Sequence, residues 1–259
     1  MKVVIWAATM ETLSIIVPTY NEAGHIRAFL RHLRCRAPKA EIILVDGGSE
    51  DATIEEARGQ CDFIVTASKG RPAQMNAGAG SASGSVFWFL HADCEISKTA
   101  VQSILQSTQG GYCGGCFRIQ LPDPRPVFRL HDSWAHAVGK LIRVRCGDHG
   151  LFSTREAFHE VKGYPDVPLM EDVDFVRALH RIGRFAWLEE RLKTSCRRHH
   201  QLGPYRYTFI CGFIVALYCM GVGNATLARW YKRLIPARHS SKVPRPLPEI
   251  ELELFADFR

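Results

Sequence analysis

Several signatures of specialised protein classes are missing from this sequence. It has no internal repeat at solenoid periods and no low-complexity tract, which argues against repeat proteins and disordered chains. Its nine cysteines are odd in number and scattered, so no disulfide framework is predicted. The apolar run at residues 3–8 is too short for a secretory core, and no leader is predicted. A cytoplasmic protein with reduced thiols fits these absences best.

Two metal- or phosphate-binding motifs are incomplete. The Cys113–Cys116 pair lacks the second pair that a structural zinc site would need, and it enters a strand-like run rather than opening a redox helix. We interpret both thiols as packing residues. The segment that begins at Gly70 lacks the Gly-Lys-Ser/Thr ending of a Walker loop.

The longest apolar run is also too short for a membrane span. Residues 207–228 carry no charge, but the continuous apolar part, Phe209–Val222, has 14 residues, whereas a spanning helix needs roughly 20. Basic and interfacial aromatic residues flank it, which suits a helix lying on a membrane. A core helix packed on the sheet is the alternative, and both readings stay open.

Charge is distributed unevenly along the chain. The net charge is +7, yet residues 177–245 contain fourteen Lys or Arg and only two acids, Glu189 and Glu190. Such a segment suits phosphates, acidic lipid headgroups or nucleic acid, and a solvated basic surface is the alternative.

The first half alternates apolar strands with amphipathic helices. Continuous apolar strands indicate that both faces of the sheet are covered, and the alternation predicts an α/β fold with a doubly wound, mostly parallel sheet. The second half is less regular. The predicted strands are 13–18, 41–46, 62–66, 85–91, 112–120, 184–189 and 193–197, and the predicted helices are 22–34, 50–59, 71–83, 127–142 and 171–183.

Polar residues follow three of the predicted strands. Thr19, Asp46 and Asp93 should therefore meet in one crevice beyond the carboxyl ends of the strands, where open α/β sheets bind ligands. Ser49 is predicted to cap the helix after Asp46. A carboxylate such as Asp93 can hold a divalent cation when phosphates supply the other ligands. The pattern predicts a metal-bridged anionic substrate.

Two predicted helix starts also carry candidate functional groups. Arg71 combines a cation with a helix N-terminus, an arrangement that suits a phosphate. Glu171 and Asp172 open another helix, where its dipole stabilises carboxylates. Simple dipole capping is the alternative explanation of that pair.

The motifs together resemble those of family-2 glycosyltransferases, over about residues 12–235. The order of the motifs carries the resemblance, and the His-Ala-Asp at 91–93 resembles the branch called radical SAM/selenodomain-associated transferases. The matching segments are residues 17–22, 45–51, 70–78, 90–93, 147–150 and 168–172.

The resemblance implies a GT-A fold and an inverting transfer from a nucleotide-diphosphate sugar. Asp172 would be the general base and Asp93 would hold Mg²⁺ or Mn²⁺. His91 stands where the family usually has Asp; an imidazole suits Mn²⁺ better than Mg²⁺. Arg197 or Arg198 would add charge near the diphosphate, and Asp148 and His149 would face the acceptor. The full predicted binding set is Pro18, Thr19, Tyr20, Glu22, Asp46, Gly48, Ser49, Arg71, Asn76, His91, Ala92, Asp148, His149, Glu171, Arg197 and Arg198.

The predicted organisation is an N-terminal extension (1–11), a GT-A domain (12–200) with a nucleotide-sugar half (12–95) and an acceptor half (96–200), apolar and basic helices (201–235) and a tail (236–259). Expected partners are the sugar donor and an unknown acceptor that could be lipid-linked. Peripheral association with the inner face of the cell membrane is also expected, and no nucleic-acid partner is expected.

Two other functions remain open. A sugar nucleotidyltransferase would need a Gly-rich loop after the first strand, where this chain has Pro-Thr-Tyr-Asn-Glu, and a non-catalytic membrane-associated binding module would account for His91.

Overall fold

The computed structural model describes residues 11–123, 125–195 and 197–235. Seven strands form one sheet: β1 (Leu13–Thr19), β2 (Glu41–Asp46), β3 (Phe63–Thr66), β4 (Val86–Phe89), β5 (Tyr112–Gln120), β6 (Phe152–Thr154) and β7 (Arg184–Lys193). Their order is β3-β2-β1-β4-β6-β5-β7. The first four strands pair in parallel, as do β5 and β7, whereas β6 runs antiparallel to both its neighbours. The predicted mostly parallel α/β sheet is confirmed.

Ten α-helices of the described chain surround the sheet. They are α1 (Ile26–Arg36), α2 (Thr53–Ala57), α3 (Arg71–Ser81), α4 (Ala100–Gln109), α5 (Pro126–Ile142), α6 (Arg155–Glu160), α7 (Glu171–Ile182), α8 (Arg197–Leu202), α9 (Pro204–Cys219) and α10 (Asn224–Leu234). A short 3₁₀ turn, Gly147–His149, precedes β6.

Side chains that alternate along the central strands build a core on each face of the sheet. On β1, Ile15 and Val17 join a core with α1 and α4, whereas Ile16 joins a second core with α3, α6 and α7. The apolar face predicted for the first helix is confirmed, because Ile26, Phe29, Leu30 and Leu33 are its buried residues. Continuous apolar strands were therefore the correct signal of a sheet covered on both sides.

Close packing explains the small residues of α3. A Cβ atom on Gly78 would lie 2.4 Å from Ile16 Cγ2 and 2.8 Å from Val45 Cγ2. Only glycine lets α3 approach β1 and β2 this closely, and that approach brings Arg71, at the start of the helix, to the carboxyl ends of the strands.

Two local predictions are wrong. The helix after β2 begins at Thr53, with Ala52 at its N-cap, so Ser49 does not cap it. The two short strands predicted at 184–189 and 193–197 are instead one strand, β7, followed by helix α8. β7 continues through its charged Glu189-Glu190-Arg191 run because it lies at the sheet edge, where charged side chains reach solvent.

The helices α9 and α10 pack on α7 through a third, smaller core. Ile210 and Ile214 of α9 and Leu227 of α10 are buried there together with Val173. Polar contacts add to it, since Asp174 accepts hydrogen bonds from Tyr218 Oη and from Asn224 Nδ2. The apolar run predicted at Phe209–Val222 therefore contributes to a core along one face of α9.

Among the described residues, no helix is long and apolar enough to cross a membrane. The predicted tail (236–259) and all but the last residue of the predicted N-terminal extension (1–11) lie outside the described residues.

Candidate active site

The carboxyl ends of β2, β1 and β4 lie side by side and form one wall of a crevice. Thr19 and Asp46 are direct neighbours in the β1–β2 register. β4 ends at Phe89, earlier than predicted, and a turn closed by the Cys94 amide donating to the His91 carbonyl (3.2 Å) leads to Asp93. The exposed Asp93 thus follows the strand next to β1, as the sequence predicted.

Hydrogen bonds fix the loops after β1 and β2 to each other. The Asp46 carboxylate accepts from the amides of Gly48 (3.0 Å) and Ser49 (2.9 Å) and from the Ser49 hydroxyl. The Asn21 amide donates to Ser49 Oγ (2.9 Å), and the Glu22 amide donates to Thr53 Oγ1 (2.8 Å). The Ser49 hydroxyl that was expected to cap a helix therefore holds these two loops together.

A buried glutamine that the sequence analysis missed supports the same loops. Gln74 Nε2 donates to the carbonyl oxygens of Thr19 and Val45, each at 2.8 Å. Nearby, the Lys69 ammonium lies 3.7 Å from the centroid of the Tyr20 ring, in a cation–π contact. Lys69 was not among the predicted site residues, although its position directly before Gly70 and α3 could have indicated a cation at this end of the sheet.

Two arginines and three carboxylates meet in the crevice. Burial tends to lower the pKa of Arg71, but Asp148, Asp172 and Glu171 outweigh it, and the pKa is raised. For Asp148, burial tends to raise the pKa, but His91 and Arg71 outweigh it and the pKa is lowered. Arg71 and Asp148 are therefore both charged at neutral pH.

Arg198 reaches this cluster from α8, not from the strand end that the sequence suggested. Its Nη1 donates to Tyr231 Oη at 2.9 Å, and Tyr207 is a second hydrogen-bond partner. Burial would lower the pKa of Arg198, but the two tyrosines and Asp148 raise it. Arg197 begins α8, and its side chain lies outside the described residues.

Gly147 brings His91 and Asp172 together. A Cβ atom on Gly147 would lie 2.7 Å from His91 Nε2 and 2.9 Å from Asp172 Oδ2. The Gly147 amide donates to Asp172 Oδ2 at 2.7 Å. Gly147 was not among the predicted site residues, although its position directly before Asp148 was a signal in the sequence.

Asp172 has the properties of a base near neutral pH. Its side chain is buried, and its Oδ1 has no hydrogen-bond partner in the described structure. Burial and the adjacent Glu171 raise the pKa of Asp172 to about 7, against the opposing effects of Arg71 and the Gly147 amide. Such a carboxyl can exchange a proton with a substrate hydroxyl at physiological pH.

Tyr164 is a second buried polar group beside the acids, and the sequence analysis missed it. Its hydroxyl has no hydrogen-bond partner among the described residues. Burial raises its pKa well above the usual value, and Asp172 and Glu171 raise it further. Asn76 fixes the Tyr164 backbone from both sides, donating to its carbonyl oxygen (2.8 Å) and accepting from its amide (2.9 Å). The side-chain amide of Asn76, predicted to bind the nucleotide, thus contacts the Tyr164 backbone through both its nitrogen and its oxygen.

Asp148 and His149 have different surroundings. Asp148 is exposed to the crevice, whereas His149 is buried, with its Nδ1 3.1 Å from the Phe117 carbonyl oxygen on β5. Burial lowers the pKa of His149 to about 3, helped by Arg145, so its ring is neutral. His149 therefore anchors the 3₁₀ turn from which Asp148 faces the crevice.

The residues that could hold a divalent cation are Asp93 and His91. No group of three or more His, Cys, Asp or Glu in the described chain forms a ready metal site. One carboxylate and one imidazole still fit a cation whose remaining ligands are phosphate oxygens and water. The exposed position of Asp93 at the crevice suits such a shared site.

Comparisons with known proteins agree with this architecture. The family model described as Glycosyl transferase family 2 matches residues 14–153. The glycosyltransferase AglE of Haloferax volcanii is 28% identical over 142 residues, which cover 50% of this chain and 47% of the relative. A 4,4'-diaponeurosporenoate glycosyltransferase of Staphylococcus haemolyticus is 25% identical over 65% of this chain and 46% of its own length. The chain spans about half the length of the curated relatives it matches.

A solved structure has the same fold. The mannosyltransferase PcManGT from Pyrobaculum calidifontis, in complex with GDP-Man and Mn²⁺, superposes with a TM-score of 0.62 at 16% identity, covering 87% of this chain and 68% of that one. At this identity the likeness establishes the GT-A fold alone.

Proposed function

Since the chain belongs to glycosyl transferase family 2, we propose that it is an inverting glycosyltransferase that uses a nucleotide-diphosphate sugar. The observation that carries the proposal is Asp172, a buried carboxylate with an unpartnered oxygen and a pKa of about 7, in a crevice with two arginines. A general base and a phosphate-binding cation are the two groups that such a transfer requires.

The donor would bind along the β1–β2 side of the crevice. The strand ends and fixed loops that carry Pro18, Thr19, Tyr20, Glu22 and Asp46 would surround the nucleoside, and Gly48 and Ser49 keep the loops in place. Arg71 and Arg198 would bind the diphosphate, since guanidinium groups match phosphate oxygens in geometry and charge. Solved structures with this fold hold GDP-Man or UDP.

The transfer would proceed by a single displacement. Asp172 Oδ1 takes the proton of an acceptor hydroxyl, and that oxygen forms a bond to the anomeric carbon. The bond between the anomeric carbon and the diphosphate oxygen breaks, and its electron pair leaves with the diphosphate. Arg71 and Arg198 stabilise the negative charge that develops there. Attack opposite the leaving group inverts the anomeric configuration.

A divalent cation, Mg²⁺ or Mn²⁺, would neutralise part of the diphosphate charge, and Asp93 with His91 would hold it. Solved structures with this fold are complexes with Mn²⁺ or Mg²⁺ as well as UDP or GDP-Man. Arg71 and Arg198 lie in the same crevice, so this chain has cationic support for the leaving group besides a metal.

We also propose that the protein works at the cytoplasmic face of a membrane, on a lipid-linked or membrane-presented acceptor. The helices α8 to α10, one of which places Arg198 in the crevice, contain no Asp or Glu. An acid-free, apolar and basic unit next to the crevice suits an acceptor held at an anionic surface.

Thermal unfolding with UDP, GDP and CDP, each with and without Mn²⁺, tests donor binding. One nucleotide should raise the melting temperature by mass action, and more strongly with Mn²⁺. With the matching α-linked sugar nucleotide, NMR of the product should show the β-anomer. Retained α-configuration would contradict the inverting mechanism. Nucleotide binding without any turnover would favour a non-catalytic binding module.

A further inference from the structure

The outward face of α9 is apolar along its whole length. Tyr205, Phe209 and Phe213 lie at helical spacing on α9 and are 73%, 74% and 39% exposed, and Met220, which directly follows the helix, is 71% exposed. The opposite face is buried through Ile210 and Ile214. The helix therefore has one apolar face that is buried in the described structure and another that is exposed.

Stacked aromatic rings extend this face from α9 to α10. The rings of Phe209 and Phe213 have centroids 6.3 Å apart and planes 6° apart, and Phe213 and Trp230 are 6.3 Å and 14° apart. Trp230 is 42% exposed. We call Tyr205, Phe209, Phe213, Met220 and Trp230 the α9–α10 surface.

Cations accompany the α9–α10 surface, and acids are missing from its helices. Arg206 on α9 and Arg229, Lys232 and Arg233 on α10 are exposed. The sequence contains no Asp or Glu from Arg191 to Ile235. Interfacial aromatic rings together with exposed cations match the chemistry of an anionic lipid headgroup region.

We propose that the α9–α10 surface docks on an anionic bilayer. A second copy of this chain fits the surface less well, because a two-fold contact would bring the same cations opposite each other. This docking rests on the proposed function in one respect, the assumption that the acceptor is presented by a membrane. Trp230 on the surface directly precedes Tyr231, which holds Arg198 in the crevice. Docking would therefore place the crevice next to an acceptor presented by the membrane.

Vesicle co-sedimentation of the full chain tests this docking. We expect binding to vesicles of phosphatidylcholine with phosphatidylglycerol at low salt, little binding to phosphatidylcholine alone, and release at high salt. Replacing the cations together, Arg229→Gln with Lys232→Gln and Arg233→Gln, should lower the partition coefficient at least tenfold. Phe209→Ala with Phe213→Ala should weaken binding to the same vesicles by removing apolar contact.

Matched controls use exposed residues elsewhere on the chain. Lys39→Gln with Arg58→Gln and Lys98→Gln removes as much charge, and Phe63→Ala removes an aromatic ring that is 52% exposed. These variants should bind vesicles like the parent. All variants should keep the parent's affinity for the nucleotide diphosphate without lipid, measured by calorimetry.

Three results would overturn the docking. The first is no binding to anionic vesicles at low salt. The second is binding only after Glu251→Gln with Glu253→Gln, which would place the acidic C-terminal segment on the surface. The third is a dimer in sedimentation velocity that Phe213→Ala dissociates. Absence of nucleotide binding would instead overturn the proposed function and leave the vesicle result standing.

Discussion

The two sides of the crevice differ in whether their buried polar groups have hydrogen-bond partners. On the donor side, Asp46, Ser49 and Gln74 have partners at hydrogen-bond distance that hold two loops together. On the acid side, Asp172 Oδ1 and the Tyr164 hydroxyl are buried and find no hydrogen-bond partner in the part of the chain that the structure describes. Unsatisfied buried polar groups are costly, so they persist where function requires them. In the proposed function the donor side is a pre-formed binding wall and the acid side is a reactive wall.

Removing the base should have the largest effect. Asp172→Asn keeps the shape and the acceptor for the Gly147 amide, so turnover should fall by ~10²–10⁴ while donor affinity is retained. Asp166→Asn, which changes an exposed carboxyl in the loop before α7, is the matched control. Initial rates and calorimetry check both quantities. Near-parental turnover in Asp172→Asn would remove Asp172 from its role.

The stability of the same variant provides a second check. Because the folded pKa of Asp172 is raised to about 7, the folded protein binds more protons than the unfolded chain between pH ~4 and ~7, and the contribution of Asp172 to stability falls as pH rises through that window. Asn carries no such charge. Asp172→Asn should therefore be at least as stable as the parent at pH 8 in denaturant unfolding.

Crowding the reactive wall should have the next largest effect. A methyl group at Gly147 would push on His91 Nε2 and Asp172 Oδ2, and small displacements at a reacting centre are costly. We expect Gly147→Ala to lower turnover by about 10- to 100-fold. Gly80→Ala on α3 is the control, because a Cβ atom there meets nothing within 4 Å. Equal turnover for both variants would contradict the close contact of Gly147 with His91 and Asp172.

Loosening the binding wall should act on affinity rather than on turnover. Asp46→Asn weakens the hydrogen bonds to Gly48 and Ser49, each worth about 1 kcal/mol, and we expect a roughly tenfold weaker affinity for the nucleotide diphosphate. Asp62→Asn is a fair control, since Asp62 also accepts from a backbone amide and an arginine, but at the far sheet edge. Unchanged affinity in Asp46→Asn would move the donor site elsewhere.

The smallest expected effect concerns Arg198. Tyr231→Phe removes the 2.9 Å hydrogen bond that holds its guanidinium, so kcat/KM for the donor should fall by about 3- to 10-fold. Tyr112→Phe removes an equivalent contact with Arg184 (3.0 Å) away from the crevice and should leave kcat/KM unchanged. A drop in kcat with unchanged KM would indicate that Arg198 stabilises the leaving group but does not contribute to donor binding.

The sequence predicts the binding wall better than the reactive wall. Apolar strands that end in Thr19 and Asp46 are local patterns, and parallel strands must place those ends together. By contrast, the contact of Gly147 with His91 and Asp172 joins three separate segments through a 3₁₀ turn, which has no periodicity to read. Arg198 was named, together with Arg197, from its place after the last predicted strand, but its helix was missed, because a six-residue helix is too short for a clear apolar pattern.

The most direct test of the account is the pH dependence of kcat/KM for the parent and for Asp172→Asn. If Asp172 is the general base, it must be ionised, so the parent's kcat/KM should rise about tenfold per pH unit below pH ~7 and then level off. The Asn variant should show low activity without that limb, and Asp166→Asn should reproduce the parent. An ascending limb near pH 7 that survives in Asp172→Asn would contradict the assignment.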